Sequence, residues 1–400
     1  MTVAGHPKAL AGVRVLDVTH VMAGPFCAMV LADMGADVIK VEPPAGDSTR
    51  RMAGAVGTDS PSFNAVNRGK RGLVIDLKQP EGQQALRRLA KTADVLIENN
   101  RPGVMARFGL DYQNVVALNP GLIYASISGY GQTGPSAGKG GFDLIAQGVS
   151  GIMSVTGEPG LAPMKAGVPL TDLGAGLFAL VGILAALHHR GRTGVGQHID
   201  TSLVETGIAL SLWEAAEYFS GGGIPQPMGS AAHRMSAPYQ AISCADGFIT
   251  LGAANDRLFR QVAELLGHPE WVTHPDYATD AARVKHRAAL ADKIQAITDA
   301  RPRSFWIEQF EAAGVPCGPI NNYEEALTDP HLRARSMVVD VDHPTLGRIR
   351  SLGSPIRMSA TPPSVCSRAP LLGEHTESVL AEAGFTEDEI AELRRIGVLG

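Results

Sequence analysis

Large rings are scarce in this 400-residue chain: 3 Trp, 7 Tyr and 11 Phe make up 5% of it. With 46 Gly and 26 Pro alongside, aliphatic and small side chains must fill the core, and tight turns must do much of the connecting. Cysteine is equally sparse. Cys27, Cys244, Cys317 and Cys366 lie far apart and form no CxxC pair, which argues against a zinc site and a disulfide framework and suits a reducing compartment. Nor is there an excess of positive charge: 35 Lys and Arg against 40 Asp and Glu leave −5. Such a chain has no global basic field for nucleic acid or an anionic membrane, so an anionic ligand must be met by local clusters of Arg and Lys. Met1 to Pro7 shows no basic segment leading into an apolar stretch, so no secretory signal is expected. The longest apolar run, Leu173 to Leu187, is short and glycine-broken for a bilayer span and reads as a buried helix. A cytoplasmic protein without a membrane partner is the expectation. At 44% apolar and 19% charged residues, disorder is excluded and the length suggests two or three domains.

What is present is an alternation of strand and helix. Val13 to Val18 reads as a strand, Gly24 to Met34 as a helix ended by Gly35, and Ala36 to Val41 as a second strand. Further strands are expected at Leu73–Leu77, Val95–Glu98 and Leu122–Ile127, with a helix from Pro80 to Lys91. That pattern predicts a doubly wound α/β layer with a mainly parallel sheet, whose ligands lie at the carboxyl ends of the strands. His20–Pro25, Asn99–Gly103 and Ser128–Gly134 fall there. Beyond Gly221–Gly223 the texture changes to short antiparallel strands around Ala245–Asp246–Gly247, followed by helices to about Ala313. After Pro330 come proline- and glycine-rich connections and then a helical tail, Thr376 to Ile396.

Familiar signatures fail when tested. Thr133 to Gly140 lacks both the first glycine and the final Ser or Thr of a phosphate loop, and the turn after the first strand has no GxGxxG. Gly148–Gly151 is one residue short of a nucleophile elbow. His188, His189 and His198 lack metal spacing and read as surface or helix-end residues. What remains is Pro169 to Gly176, where Asp172 stands at the mouth of the apolar helix. On spacing alone it is either an N-cap or a nucleophile, since a carboxylate among apolar and glycine residues is costly to bury and open to a bulky thioester. A second cluster, Asn67–Arg68–Gly69–Lys70–Arg71–Gly72, is either a phosphate-binding loop or a solvated basic turn. Arg101 and Arg107 carry the same ambiguity.

These segments, taken together, resemble the class III CoA-transferases, the formyl-CoA transferase or carnitine-CoA transferase-like family. The resemblance runs over essentially the whole chain through LAGVRVLDVTHVMAGPF, MGADVIKVEPPAGDSTR, NRGKRGLVIDLK, ADVLIENNRPG, SISGYGQTGP, GVPLTDLGAG, GVPCGPINN and APLLGEHT. It implies a Rossmann-like large domain, residues 1–220 and 331–400, plus a smaller α+β domain, residues 221–330, in an interlocked-ring homodimer. Asp172 matches the catalytic nucleophile, which passes through an aspartyl anhydride and an aspartyl-CoA thioester. The turn His20, Val21, Met22 and Ala23 would hold the reacting oxygens. CoA contacts are implied at Arg68, Gly69, Lys70, Arg71, Gly72 and Leu73, at Asn99, Asn100, Arg101 and Arg107, and near Phe142 and Asp143. The coenzyme A thioester is a substrate; no metal or permanently bound cofactor is implied. Partners are an acyl-CoA, a carboxylic acid and a second copy of the chain.

Related α-methylacyl-CoA racemases use a His beside an Asp where this sequence has Phe142 and Asp143. Phenylalanine cannot carry a proton, so transfer is favoured over racemisation, with a non-catalytic CoA-binding protein as the other alternative. Oxalate-using members carry Gln where Met22 stands, and the segments here look most like the succinyl-CoA:glutarate branch. A dicarboxylate would need a distal cation, for which Arg50, Arg51, Lys165, His233 and Arg234 are the candidates.

Overall fold

The computed structural model describes residues 8–57 and 59–399; Met1–Pro7, considered above for a signal, lie outside the described residues. The chain forms two compact units, one of residues 1–151, 167–212 and 330–400, the other of residues 152–166 and 213–329.

The first unit is built on six parallel strands: β1 (Arg14–Asp17), β2 (Asp37–Glu42), β3 (Arg71–Val74), β4 (Val95–Glu98), β5 (Ile123–Ser128) and β6 (His198–Ser202), in the order β3-β2-β1-β4-β5-β6. Leu16 pairs with Ile39 on one side and Leu96 on the other. All three side chains are essentially solvent-free. Strands buried on both faces read as continuous apolar runs, which is why β1, β2, β4 and β5 are legible in the sequence. The order reverses beside β1, so the crevice expected for a ligand opens at the carboxyl ends of β1 and β4. The short, half-exposed β6 has no apolar run to announce it and was not anticipated.

Helices cover both faces. On one lie α1 (Ala23–Asp33) and, further along, the helices that pack with it; the opposite core gathers α2 (Pro80–Ala90) and the C-terminal helices. Pro80 opens α2 at its first position, where its missing N–H costs nothing, and Ala85, Leu86 and Leu89 form its buried stripe. Then follow α3 (Asp143–Val149), α4 (Leu170–Thr193) and α5 (Leu203–Leu210).

The apolar helix corrects the reading from composition. α4 has 24 residues with a hydropathy of 2.0, long and apolar enough by those measures to cross a membrane. It buries only one stripe, Ala175, Ala179, Ile183 and Ala186, against the sheet-side core, and leaves Leu177, Phe178 and Val181 exposed.

The second unit carries the antiparallel sheet β7 (Tyr239–Cys244), β8 (Gly247–Gly252) and β9 (Cys317–Pro319), in that order. The hairpin β7–β8 is the one expected around Gly247. Helices α6 (Asp256–Leu265), α7 (Arg287–Thr298) and α8 (Arg303–Ala312) share a core with it that includes Ile242, Phe259, Ile294 and Phe310. Back in the first unit, β10 (Val338–His343) and β11 (Gly347–Leu352) form a hairpin where proline- and glycine-rich connections are expected. The expected C-terminal helix is two, α9 (Thr376–Glu382) and α10 (Glu387–Arg395), interrupted by Gly384 at φ +81. This segment closes the free edge of β3: His375 donates its N–H to Gly72 O (2.8 Å) while Gly72 N–H and Val74 N–H bond to the His375 and Thr376 side chains.

Candidate functional site

A cavity of about 340 Å³ opens where the switch point predicts. Thr19 and His20 after β1, Pro43 after β2, Ile75, Leu77 and Lys78 after β3, and Asn100, Met105 and Phe108 after β4 line it. Of these, only His20 and Asn100 were singled out from the sequence. Lys78 and its apolar neighbours were missed, although their position just past a parallel strand was the available signal.

The turn from Thr19 to Pro25 is held in an unusual conformation. Val21 has φ +68, a left-handed geometry that costs a β-branched residue about 1–3 kcal/mol. Gly24 is required there, because a Cβ would collide with the Thr19 side chain. Asn99 clamps the turn from β4: its Oδ1 accepts from His20 N–H (2.9 Å) and its Nδ2 donates to His20 O (2.8 Å). This assigns Asn99 to the turn, not to a free ligand contact. The Val21 N–H reaches Asp47 Oδ2 at 3.3 Å. Of the four turn residues named from the sequence, His20 and Val21 therefore have their amides engaged, and among the described residues the Met22 and Ala23 N–H groups at the mouth of α1 have no partner. The His20 imidazole is held below its ordinary pKa chiefly by burial, with Lys40 nearby adding to the effect.

Asp172 lies in the first turn of α4 but is not its N-cap, which is Pro169. The capping duty falls to Asp143, whose buried carboxylate accepts from Thr171 N–H (3.0 Å) and Thr171 Oγ1 (2.8 Å) and from Gln147 Nε2 (2.7 Å). Asp143 thus fastens the chain beside Asp172 and is not free for a CoA contact. Asp172 is half-buried, and no hydrogen bond or ion pair reaches its carboxylate among the described residues. Burial pushes its pKa up to about 6, and the Asp143 charge adds to the rise. One turn further along the same face, a Cβ at Gly176 would stand 2.6 Å from Ala23 O, so α4 and the His20–Ala23 turn meet with nothing larger than hydrogen between them.

The contacts close a ring around this place. The turn at His20 is tied to Asn99; Arg101 lies against Gly140, where a Cβ would be 2.6 Å from its guanidinium; Phe142 and Asp143 follow; Asp143 holds Thr171; and Gly176 returns to Ala23. Gly129 and Gly141 pass each other so closely that a Cβ on Gly129 would be 2.7 Å from Gly141 Cα. Arg101 and Arg107 are exposed at the rim, and Phe142 is 71% exposed at the start of α3.

The basic cluster before β3 is corrected. Arg68 is buried against Asp33 (2.7 Å), Lys70 against Asp17 (2.7 Å), Pro25 O (2.9 Å) and Asn67 (2.8 Å), and Arg71 bridges Asp37 (2.8 Å) and Glu382 (2.7 Å). Gly69 N–H is bonded to Ser367 O (3.1 Å), Gly72 packs under Pro370, and Leu73 is fully buried in β3. These residues are a strand start knitted to the rest of the unit, with their charges spent internally. Arg50 is likewise buried on Glu42 (2.7 Å), which removes it as a distal cation, and Arg51 donates to Ala45 O (2.7 Å). Lys165, His233 and Arg234 belong to the second unit, where Arg234 is paired with Glu214 (3.2 Å) and Glu217 (3.5 Å).

Comparison with known proteins places the whole chain in a family. The family described as CoA-transferase family III matches residues 10–376. The chain is 43% identical over 381 residues to the succinate–glutarate CoA-transferase of Agrobacterium fabrum, covering 93% of this chain and 95% of that one. It is 39% identical over 395 residues to the succinyl-CoA:glutarate CoA-transferase of Homo sapiens, covering 98% and 90%. Among solved structures, a CAIB/BAIF family protein from Brucella suis superposes with a TM-score of 0.84 at 39% identity, over 94% of this chain and all of that one.

Proposed function

This chain belongs to CoA-transferase family III, and from that premise we propose that it moves CoA from an acyl-CoA, succinyl-CoA foremost, to a dicarboxylic acid by ping-pong chemistry on Asp172. The acyl and acceptor classes follow the two glutarate enzymes it is similar to. The observation that carries the mechanism is the Asp172 carboxylate: half-buried, without a cation, and raised to a pKa of about 6. Such a group is still ionised at neutral pH, yet is more basic and less solvated than an ordinary aspartate, which makes it the better nucleophile.

The steps balance without an outside reagent. Asp172 attacks the thioester carbonyl and expels CoA as thiolate, leaving a mixed anhydride. The thiolate attacks the Asp172 carbonyl carbon, releasing the donor carboxylate and leaving an aspartyl-CoA thioester. The acceptor carboxylate attacks that thioester to form a second anhydride, and the thiolate then takes the acceptor acyl group and restores Asp172. Each tetrahedral intermediate carries an oxyanion, for which the unpartnered Met22 and Ala23 N–H groups are the donors.

The test is direct trapping. Succinyl-CoA followed by hydroxylamine or borohydride is expected to mark the Asp172 peptide by mass, and Asp172→Asn to lose at least about 10³-fold in kcat. An Asp172→Asn enzyme with intact turnover would exclude the covalent route.

We further infer a homodimer. Leu177, Phe178 and Val181 on α4, Ile208 and Leu210 on α5, and Leu144, Ile145 and Val149 on α3 leave a broad apolar surface open to water in the single chain, more than a monomer ordinarily exposes. Small residues and aliphatics on long helices suit a large self-complementary interface.

A further inference from the structure

We propose that Lys40 and Asp47, buried in the wall of the cavity at the switch point, are positioning residues that hold the strained turn so that the Met22 and Ala23 amides face the reacting oxygen. The inference rests on the reading of those amides as oxyanion donors, and it follows from where the turn's polar backbone groups go. Thr19 N–H (3.1 Å) and its hydroxyl donate to Asp17. The Thr19 carbonyl accepts from the Lys40 ammonium, which also reaches Asp47 Oδ2 at 3.2 Å. Asp47 Oδ2 in turn takes the Val21 N–H, the amide of the left-handed residue. Asn99 binds both polar groups of His20, and Lys70 donates to Pro25 O at 2.9 Å.

The N–H groups of Thr19, His20 and Val21 and the carbonyls of Thr19, His20 and Pro25 are thus tied down. Among the described residues the N–H groups left over in this turn are those of Met22, Ala23 and Gly24, and the first two are the donors the chemistry would use. Lys40 and Asp47 are buried to 0% and 1% side-chain exposure, a costly placement for charges. Asp47 is itself fixed: its Oδ1 accepts from Thr49 N–H (2.9 Å) and Thr49 Oγ1 (2.8 Å), and its own N–H donates to Glu42 Oε2 (2.9 Å). Glu42 is anchored by Arg50 through both carboxylate oxygens at 2.7 Å. The scaffold therefore runs from the β2 terminus to the strained residue without slack. A fixed donor pair is effective because it need not reorganise as charge develops on the oxygen.

Asp47→Asn isolates this role. It keeps the oxygen that serves Thr49 but turns an NH2 toward the Lys40 ammonium and the Val21 N–H, donor against donor. The expected result is a kcat lowered at least about tenfold, an acyl-CoA KM within about threefold of wild type, and slower formation of the Asp172 adduct in a single turnover. Leu86→Ala, in the core under α2, serves as the control of similar thermal destabilisation, with kcat retained. Should Asp47→Asn not fold, Asn99→Asp, which keeps the acceptor for His20 N–H and loses the donor to His20 O, is expected to show the same split. A clamp variant with wild-type kcat, or a Leu86→Ala loss of kcat equal to that of Asp47→Asn, overturns the positioning role. Failure of the wild-type enzyme to form any Asp172 adduct would instead take down the catalytic reading on which it stands.

Discussion

Asp172 and Asp143 divide between them what one residue was expected to do. The sequence offered a single acid at a helix mouth and two possible jobs for it; in the fold Asp143 satisfies the helix terminus from 28 residues away, leaving Asp172 unencumbered. The pH behaviour follows from burial of Asp172 first and from the neighbouring Asp143 charge second. Because Asp172 must be ionised to attack and its pKa is raised to about 6, the rate of adduct formation should be flat above that pH and fall about tenfold per unit below it. Asp143→Asn keeps an acceptor for Thr171 but removes the neighbouring negative charge, so the acidic limb should move to lower pH. Single-turnover rates across pH 4.5 to about 8 measure both, and an unmoved limb in Asp143→Asn would assign the whole rise to burial. The cations Arg68, Lys70 and Arg71 show where residue-level reading stops. Their partners Asp33, Asp17 and Asp37 are 35, 53 and 34 residues away, and a run of like charges in sequence says nothing about which carboxylates fold over it.

Among the elements, those with a continuous apolar run were legible and those with mixed polarity were not. β1, β2, β4, β5 and α2 lie within a residue or two of their expected bounds; β6, β10 and β11 are half-exposed and polar, with burial supplied by neighbours that only the fold brings up. The third strand starts at Arg71, not Leu73, because the C-terminal segment pairs with its first residues. The α1–α4 contact is the element pair on which the site depends. Gly176→Ala gains about 1 kcal/mol of helix propensity, yet puts its methyl 2.6 Å from the Ala23 carbonyl oxygen. Backbone cannot yield as a flexible side chain would, so the clash should win, with a net loss of about 1–3 kcal/mol. The expected outcome is a lowered Tm and a kcat reduced more than the acyl-CoA KM is raised; a Tm at or above wild type would show that the helices can separate freely.

At the scale of the whole molecule, the parallel sheet was readable from the alternation of strand and helix, whereas the strand order, and with it the reversal beside β1, comes from the fold. Self-association was not readable from pattern alone. It is expected from the exposed Leu177, Phe178 and Val181, so light scattering should give twice the chain mass. Phe178→Asp with Val181→Asp should produce monomer or aggregate with little activity, and a soluble, fully active monomer would refute the dimer.

The closure of the β3 edge has a consequence for how the protein is made. Gly72 finds its partner in His375, 303 residues later in the chain. On the ribosome, this edge strand must wait, open and pairing-competent, while the 303 residues that lead to its partner are synthesised. Such an edge invites pairing with other chains, and contacts so distant in sequence form late. Folding yield should accordingly depend on how promptly the last two helices are delivered, and a nascent chain stalled before Thr376 is a candidate for chaperone capture.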